Sequence, residues 1–261
     1  MKWFFALNDG APHFAAYADM VKVAVASARR HTRLEPVFLF DGEPNGLTAW
    51  CSRNGVTVVS CRWRLLEEYR QVARETGRTK LMDYAAGIFL RLEVPRICAE
   101  RGWAGEPVLY TDCDIMFTGD PEPLFPDLGG RFLAVAPEED PNDTEAINSG
   151  VMLMHVAAML GMEEAFGDFV RRNLAECAEL TDQFAYRAFY RRGWELLPLA
   201  LNWKPYWGEN PDARIVHFHG PKPFLREAIA RGEAAPVQRE MARGAFGHYC
   251  AVWDRLLRDA G

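Results

Sequence analysis

Trp3 to Leu7 is an unbroken apolar run that stops at Asn8-Asp9-Gly10, the pattern of a buried strand and its turn. Apolar residues then recur at Phe14, Ala18, Val21, Val25 and Ala28, one face of a helix that ends in Arg29 and Arg30. Val37 to Phe40 gives a second strand, Leu47 to Arg53 a short helix stopped near Gly55, and Val56 to Val59 a third strand. This β-α-β-α-β order predicts an α/β fold: a mostly parallel sheet flanked by helices. The stretch 62–78 is highly charged and predicts no clear element. Leu81 to Ala99 reads as one helix kinked at Pro95. Pro107 to Tyr110 is a fourth strand, and Phe132 to Ala136 and Ile147 to His155 are two more, separated by the acidic loop 137–145. Helices are expected over Glu163 to Ala178 and Asp182 to Arg192, then a late strand over Arg214 to His219. The last forty or so residues read as two helices split near Pro236. With no repeat and no Gly/Ser-rich linker, the expected organisation is a main domain over 1–224 and a helical extension over 225–261 packed on it.

Composition narrows the classes. At 261 residues, 49% hydrophobic and 25% charged, the chain has ordinary globular usage, which excludes a disordered, collagen-like or coiled-coil protein. Its net charge of -6 disfavours sequence-independent nucleic-acid binding, which needs phosphate neutralisation. The six cysteines are scattered without a C-x-x-C pair, as expected of free thiols in a reducing compartment. The first apolar run is too short for a signal-peptide core, and no stretch approaches the length of a membrane span, so a cytoplasmic protein is expected. From Lys222 onward seven basic residues face five acidic ones. That balance allows at most weak peripheral contact with a membrane.

Five segments carry candidate chemistry. Leu109-Tyr110-Thr111-Asp112-Cys113-Asp114 ends an apolar strand with carboxylates at i and i+2. In extended chain these point the same way and repel unless a cation lies between them. Oxygen ligands suit Mn2+ or Mg2+; a solvated turn is the plainer alternative. His217-Phe218-His219-Gly220-Pro221-Lys222 delivers two histidines on one face and then a lysine. One imidazole could complete a metal site and the lysine could neutralise a diphosphate; ordinary strand-end histidines would look the same. Asn148-Ser149-Gly150 opens a buried strand with groups able to bind sugar hydroxyls, or is only a turn. Thr181-Asp182-Gln183 contains a good helix N-cap. Lys80 and Arg91 are possible phosphate contacts, or members of a solvated helix face.

Taken in order, these pieces resemble the retaining glycosyltransferases of family eight, which have the GT-A fold and include bacterial lipooligosaccharide galactosyltransferases and glycogenin. The resemblance runs from about Phe4 to Phe224, through Phe5-Ala6-Leu7-Asn8-Asp9, Thr79-Lys80-Leu81, Arg91-Leu92-x-x-Pro95 and Leu109 to Asp114. It continues through Ile147 to Leu153, Asp182-Gln183, Asn202-Trp203 and His217-Phe218-x-Gly220-x-Lys222-Pro223. It implies a metal-dependent hexosyltransferase that moves a sugar from a nucleotide diphosphate, with UDP the expected nucleotide, to a hydroxyl acceptor such as a glycan or lipooligosaccharide. It implies Mn2+ or Mg2+ on Asp112, Asp114 and His217. Ala6 and Asn8 would line the base pocket, and Cys113 would offer backbone contacts to the nucleoside. Lys80, Arg91 and Asn148 would contact the donor. Gly220 and Lys222 would hold the diphosphate. Asp182 and Gln183 would lie at the reacting sugar. Two positions depart from the family: Asn8 stands where aspartate is common, and only Pro221 separates Gly220 from Lys222, where two residues are usual. The rival classes are a silent nucleotide-sugar or glycan-binding protein of the same fold and a sugar nucleotidylyltransferase, although the amino-terminal strand lacks the glycine-rich loop of the latter.

Overall fold

The computed structural model describes residues 1–260. Its first half alternates as expected: β1 (Lys2–Asn8), α1 (Phe14–His31), β2 (Glu35–Asp41), α2 (Gly46–Arg53) and β3 (Thr57–Ser60). The charged stretch that predicted no element forms α3 (Leu66–Thr76), whose Leu66, Tyr69 and Ala73 make a buried stripe. The expected helix over 81–99 is instead α4 (Met82–Ile88), a 3-10 segment (Phe89–Glu93) and α5 (Val94–Glu100). The break falls ahead of Pro95, because proline is tolerated in the first turn of a helix, where its missing N–H has no partner to lose.

Four strands follow: β4 (Val108–Thr111), β5 (Ile115–Phe117), β6 (Leu133–Pro137) and β7 (Ile147–Met154). The helices are α6 (Val156–Leu160), α7 (Glu163–Arg172) and α8 (Leu174–Tyr190). The single helix expected over 163–178 is divided at Asn173, whose side-chain amide donates to the Phe169 carbonyl at 2.7 Å and competes with the helix ladder. α8 itself kinks at Thr181, at φ 63° and ψ -167°. β8 (Trp194–Leu196) and β9 (Ile215–His217) complete the strands. The carboxyl-terminal stretch holds three helices rather than two: α9 (Arg226–Ala230), α10 (Pro236–Met241) and α11 (Phe246–Ala260). Pro236 lies in the first turn of α10 and starts that helix.

The chain folds into two compact units. The first comprises 1–14, 35–111 and 126–197. It holds a seven-stranded sheet in the order β3-β2-β1-β4-β7-β6-β8. All neighbouring pairs are parallel except those of β7, which runs against both β4 and β6. β1, β2 and β4 therefore end at one edge, at Asn8, Asp41 and Thr111. β4 and β7 are buried along their whole length, as expected of strands covered on both faces. The unit's core includes Phe4, Leu39, Trp63, Tyr69, Phe89, Tyr110 and Tyr186.

The second unit comprises 15–34, 112–125 and 198–261. β5 and β9 pair antiparallel with Ile115 opposite His217, and Trp203 bridges to Val216. Met20 and Val23 of α1, Met116, Val216 and Phe218, and Phe246, Tyr249, Trp253 and Leu256 of α11 form its core. No helix among the described residues is long and apolar enough to cross a membrane.

Candidate functional site

In the second unit β5 begins at Ile115, and Asp112, Cys113 and Asp114 form the bend before it. The two aspartates thus occupy a turn rather than the extended strand end expected from the sequence. Pairing of β5 with β9 brings His217 to them. One donor atom from each of Asp112, Asp114 and His217 lies within 4.8 Å of the others. His217 Nε2 is 3.3 Å from Asp114 Oδ1 and 3.9 Å from Asp112 Oδ2. On the far side of the ring, Nδ1 lies 2.9 Å from the Asn202 amide oxygen, which only accepts. Nδ1 therefore carries the ring hydrogen, and the Nε2 lone pair faces the carboxylates. Burial lowers the His217 pKa from its ordinary 6.5 against the pull of Asp114, so the ring is neutral at pH 7.

Asp114 Oδ1 is buried without a hydrogen-bond partner. A buried carboxylate oxygen facing an imidazole lone pair calls for a cation between them. Two carboxylates and one neutral imidazole are a donor set suited to Mn2+ or Mg2+, so the residues present fit such an ion. Burial alone would raise the Asp114 pKa, but the Lys222 ammonium beside it prevails and holds the carboxyl far below its ordinary range. Lys222 Nζ lies 2.5 Å from Asp114 Oδ2 and donates to the Phe218 carbonyl at 2.7 Å. Gly220 turns the chain between them at φ +88°. Burial pushes the Cys113 thiol well above its ordinary value, so it is no thiolate at neutral pH.

The first unit builds a second polar cluster, from β6, β7, α8 and the 3-10 segment. Arg91, buried, donates through Nη1 to the Ser149 carbonyl at 2.7 Å and hydroxyl at 2.9 Å. The same nitrogen is 3.4 Å from Asp182 Oδ2, and the guanidinium lies 4.8 Å over the Tyr110 ring. Burial raises the Asp182 pKa, and Arg91 offsets part of that rise. Asp182 Oδ2 is buried with no hydrogen-bond partner. Gln183 is fixed at both ends: its oxygen accepts from Asn148 Nδ2 at 3.1 Å and Ser149 N at 3.0 Å, and its nitrogen donates to both oxygens of Glu138 at 2.9 and 2.8 Å.

Ala6 and Asn8 are buried at the end of β1. Asn8 Nδ2 is 3.5 Å from the Asp83 carbonyl. Its oxygen lies where a Cβ on Gly87 would come within 2.7 Å, so a larger residue at 87 would displace the Asn8 amide. Lys80 is exposed in the turn before α4 and lies outside the hydrogen-bonded cluster.

Three contributors were not assigned roles from sequence. Glu138 lay in a run read only as an acidic loop, although its position just past a buried strand marks a sheet edge. Asn202 was part of the resemblance, but its bond to His217 needs the fold to be seen. Ser149 acts partly through its backbone, which leaves no sequence signal.

The mostly parallel sheet and its flanking helices belong to the GT-A glycosyltransferase fold. Solved structures with the same fold include the apo form of glycosyltransferase GlyE from Streptococcus pneumoniae TIGR4, at 19% identity and a TM-score of 0.63. That alignment covers 99% of this chain and 62% of GlyE, so the chain spans less than two thirds of GlyE's length. The galactosyltransferase LgtC, solved in complex with donor and acceptor sugar analogs, aligns at 19% identity and a TM-score of 0.62, covering 93% of this chain and 95% of LgtC. Mouse xyloside xylosyltransferase 1 aligns at 14% identity and a TM-score of 0.52, covering 83% of this chain and 96% of that one. No protein-family model and no curated protein matches the sequence.

Proposed function

We propose that the protein is a metal-dependent retaining glycosyltransferase that moves a hexose from a nucleotide-diphosphate sugar, UDP-linked by preference, to a hydroxyl acceptor such as a glycan or lipooligosaccharide. The observation that carries this reading is the convergence of Asp112, Asp114 and a neutral, Asn202-oriented His217 on a fold used by glycosyltransferases. Asp112, Asp114 and His217 would hold Mn2+ or Mg2+, which supplies a Lewis acid for the charge that develops on the departing diphosphate. Gly220 and Lys222 bind that diphosphate. Ala6, Asn8 and the backbone at Cys113 receive the base and nucleoside, where the neutral Asn8 amide can accept from a base N–H without adding charge.

Arg91, Asn148 and Asp182 bind the donor, and Asp182 Oδ2, ion-paired with Arg91 but without a hydrogen bond, is suited to accept from a sugar hydroxyl. Gln183 lies at the reacting sugar. An amide is a poor nucleophile, and both ends of this one are already hydrogen-bonded, so Gln183 positions rather than attacks. Retention then comes from front-face attack, the acceptor hydroxyl giving its proton to the leaving phosphate oxygen as the new bond forms. Lys80 adds a mobile cation for the donor phosphates. The protein works on soluble donors in the cytoplasm, with a catalytic region over 1–224 and a helical extension from 225 onward.

The test is a thermal-shift panel of UDP, GDP, ADP and CDP, each with and without Mn2+. UDP at 100 times its dissociation constant is expected to stabilise by about 2.7 kcal/mol, or about 5 °C, only when Mn2+ is present. No shift with any nucleotide in folded protein would refute a donor site. Donor binding without slow hydrolysis of the UDP-sugar would leave a nucleotide-sugar-binding protein instead.

A further inference from the structure

Lys222 follows His217 by five residues, yet its side chain reaches back to the carboxylate beside that histidine. Gly220, at φ +88°, reverses the chain, and a Cβ there would meet Met241 at 2.8 Å. Pro221 and Pro223 restrain the backbone on both sides of the lysine. The ammonium is thereby held 2.7 Å from the Phe218 carbonyl and 2.5 Å from Asp114 Oδ2, while His217 Nε2 faces Oδ1 of the same carboxylate at 3.3 Å. The lysine side chain keeps 15% of its exposure, so it has an outward path; that of Asp114 keeps 8%.

We propose that Lys222 is an internal counter-cation that a divalent ion must displace from Asp114, and that the displaced ammonium then meets the donor diphosphate, so that metal and diphosphate bind cooperatively. This rests on reading Asp112, Asp114 and His217 as a metal site. The charges explain the coupling. Two carboxylates, a neutral imidazole and an ammonium leave one net negative charge, and a divalent ion turns this into one net positive charge. An ion arriving alone meets the repulsion of the lysine. A diphosphate arriving with it meets the surplus positive charge. Remove the lysine, and the ion alone balances the two carboxylates and leaves nothing over for the phosphates. The coupling is reciprocal, so it can be read from the metal side alone.

The experiment titrates Mn2+ into the full chain at one pH, first alone and then with saturating UDP, by electron paramagnetic resonance. Wild type is compared with Lys222→Met and Lys222→Arg. Lys222→Met is expected to bind Mn2+ alone about tenfold more tightly, the worth of one charge-assisted contact. The gain in Mn2+ affinity caused by UDP should shrink by a similar factor. Lys222→Arg, which keeps the charge, should retain the wild-type pattern. If Lys222→Met is unfolded by circular dichroism, Lys222→Gln, which still donates to the Phe218 carbonyl, replaces it in the comparison. Equal or weaker Mn2+ binding by the neutral variant, with unchanged coupling to UDP, overturns the proposal and leaves the metal site standing. No Mn2+ binding by any of these proteins overturns both.

Discussion

Asp114 feels opposed forces, and its net state sets a measurable acid sensitivity. Burial disfavours its charge, but the Lys222 ammonium prevails and keeps the carboxyl ionised far below its ordinary value of 3.8. An unfolded chain takes up this proton near the ordinary value, whereas the folded chain still refuses it. The contribution is therefore complete above about pH 5 and is lost progressively as the pH falls below that toward the depressed folded value. Asp114→Asn removes it. The variant should have a lower Tm than wild type near neutrality, and a shallower fall in Tm between about pH 5 and pH 3. Parallel Tm profiles for the two proteins would show that the Lys222 contact adds no stability. The two aspartates could be singled out from sequence as carboxylates at i and i+2 past a strand, and His217 by the family resemblance. That the lysine bonds to Asp114 could not, because the path of a Gly-Pro-Lys-Pro turn depends on the positive φ at Gly220, which no residue spacing reveals.

The elements were legible where hydrophobic period and breaker residues agree, as in β1, α1, β2, α2 and β3. They failed where tertiary contacts override local signals. α3 is charged on most of its surface and shows only three buried positions. β5 and β8 are three residues each, too short to display a period. The kink in α8 is the instructive case. The sequence identified Thr181 or Asp182 as a cap, and the Thr181 hydroxyl does accept from Gln183 N at 3.4 Å, but the backbone there is extreme. A φ of 63° with ψ -167° is a region that only glycine visits readily, at a cost of about 1–3 kcal/mol for another residue. That strain lies directly before Asp182 and Gln183, so it orients both into the polar cluster. Thr181→Gly should relieve it against an entropic cost of about 1 kcal/mol, leaving stability unchanged or raised. Turnover should drop, since glycine also opens other backbone conformations at 181 and loosens the approach of the two side chains. Chemical denaturation with a steady-state assay checks both halves; a loss of more than about 1 kcal/mol would mean that the hydroxyl matters more than the strain.

At the scale of the molecule, each unit carries its own polar cluster. The second unit holds Asp112, Asp114, His217 and Lys222, which are charged or able to ligate a metal. The first holds Arg91, Asn148, Ser149, Asp182 and Gln183, a buried network rich in amide and hydroxyl groups. The alternation of strands and helices made the α/β class readable. The interleaving of three separate segments into each unit was not, because it depends on long-range pairing such as β5 with β9. If Asn148 serves the hexose and Asp114 the diphosphate, their variants should separate under two ligands. UDP presents a diphosphate and no hexose; UDP-glucose and UDP-galactose present both. Asn148→Ala should leave Mn2+-dependent UDP affinity within about twofold and weaken whichever UDP-hexose binds by about tenfold, the loss of one buried hydrogen-bonding group. Asp114→Asn should weaken UDP and UDP-hexose by the same factor, because both lose the metal. Calorimetry with wild type and the two variants gives the comparison. Equal weakening of UDP and UDP-hexose by Asn148→Ala would mean that the buried amide network serves the fold rather than the sugar. Selective weakening would place hexose recognition on Asn148, and the choice between the two hexoses would then be sought among Asp182, Gln183 and Glu138.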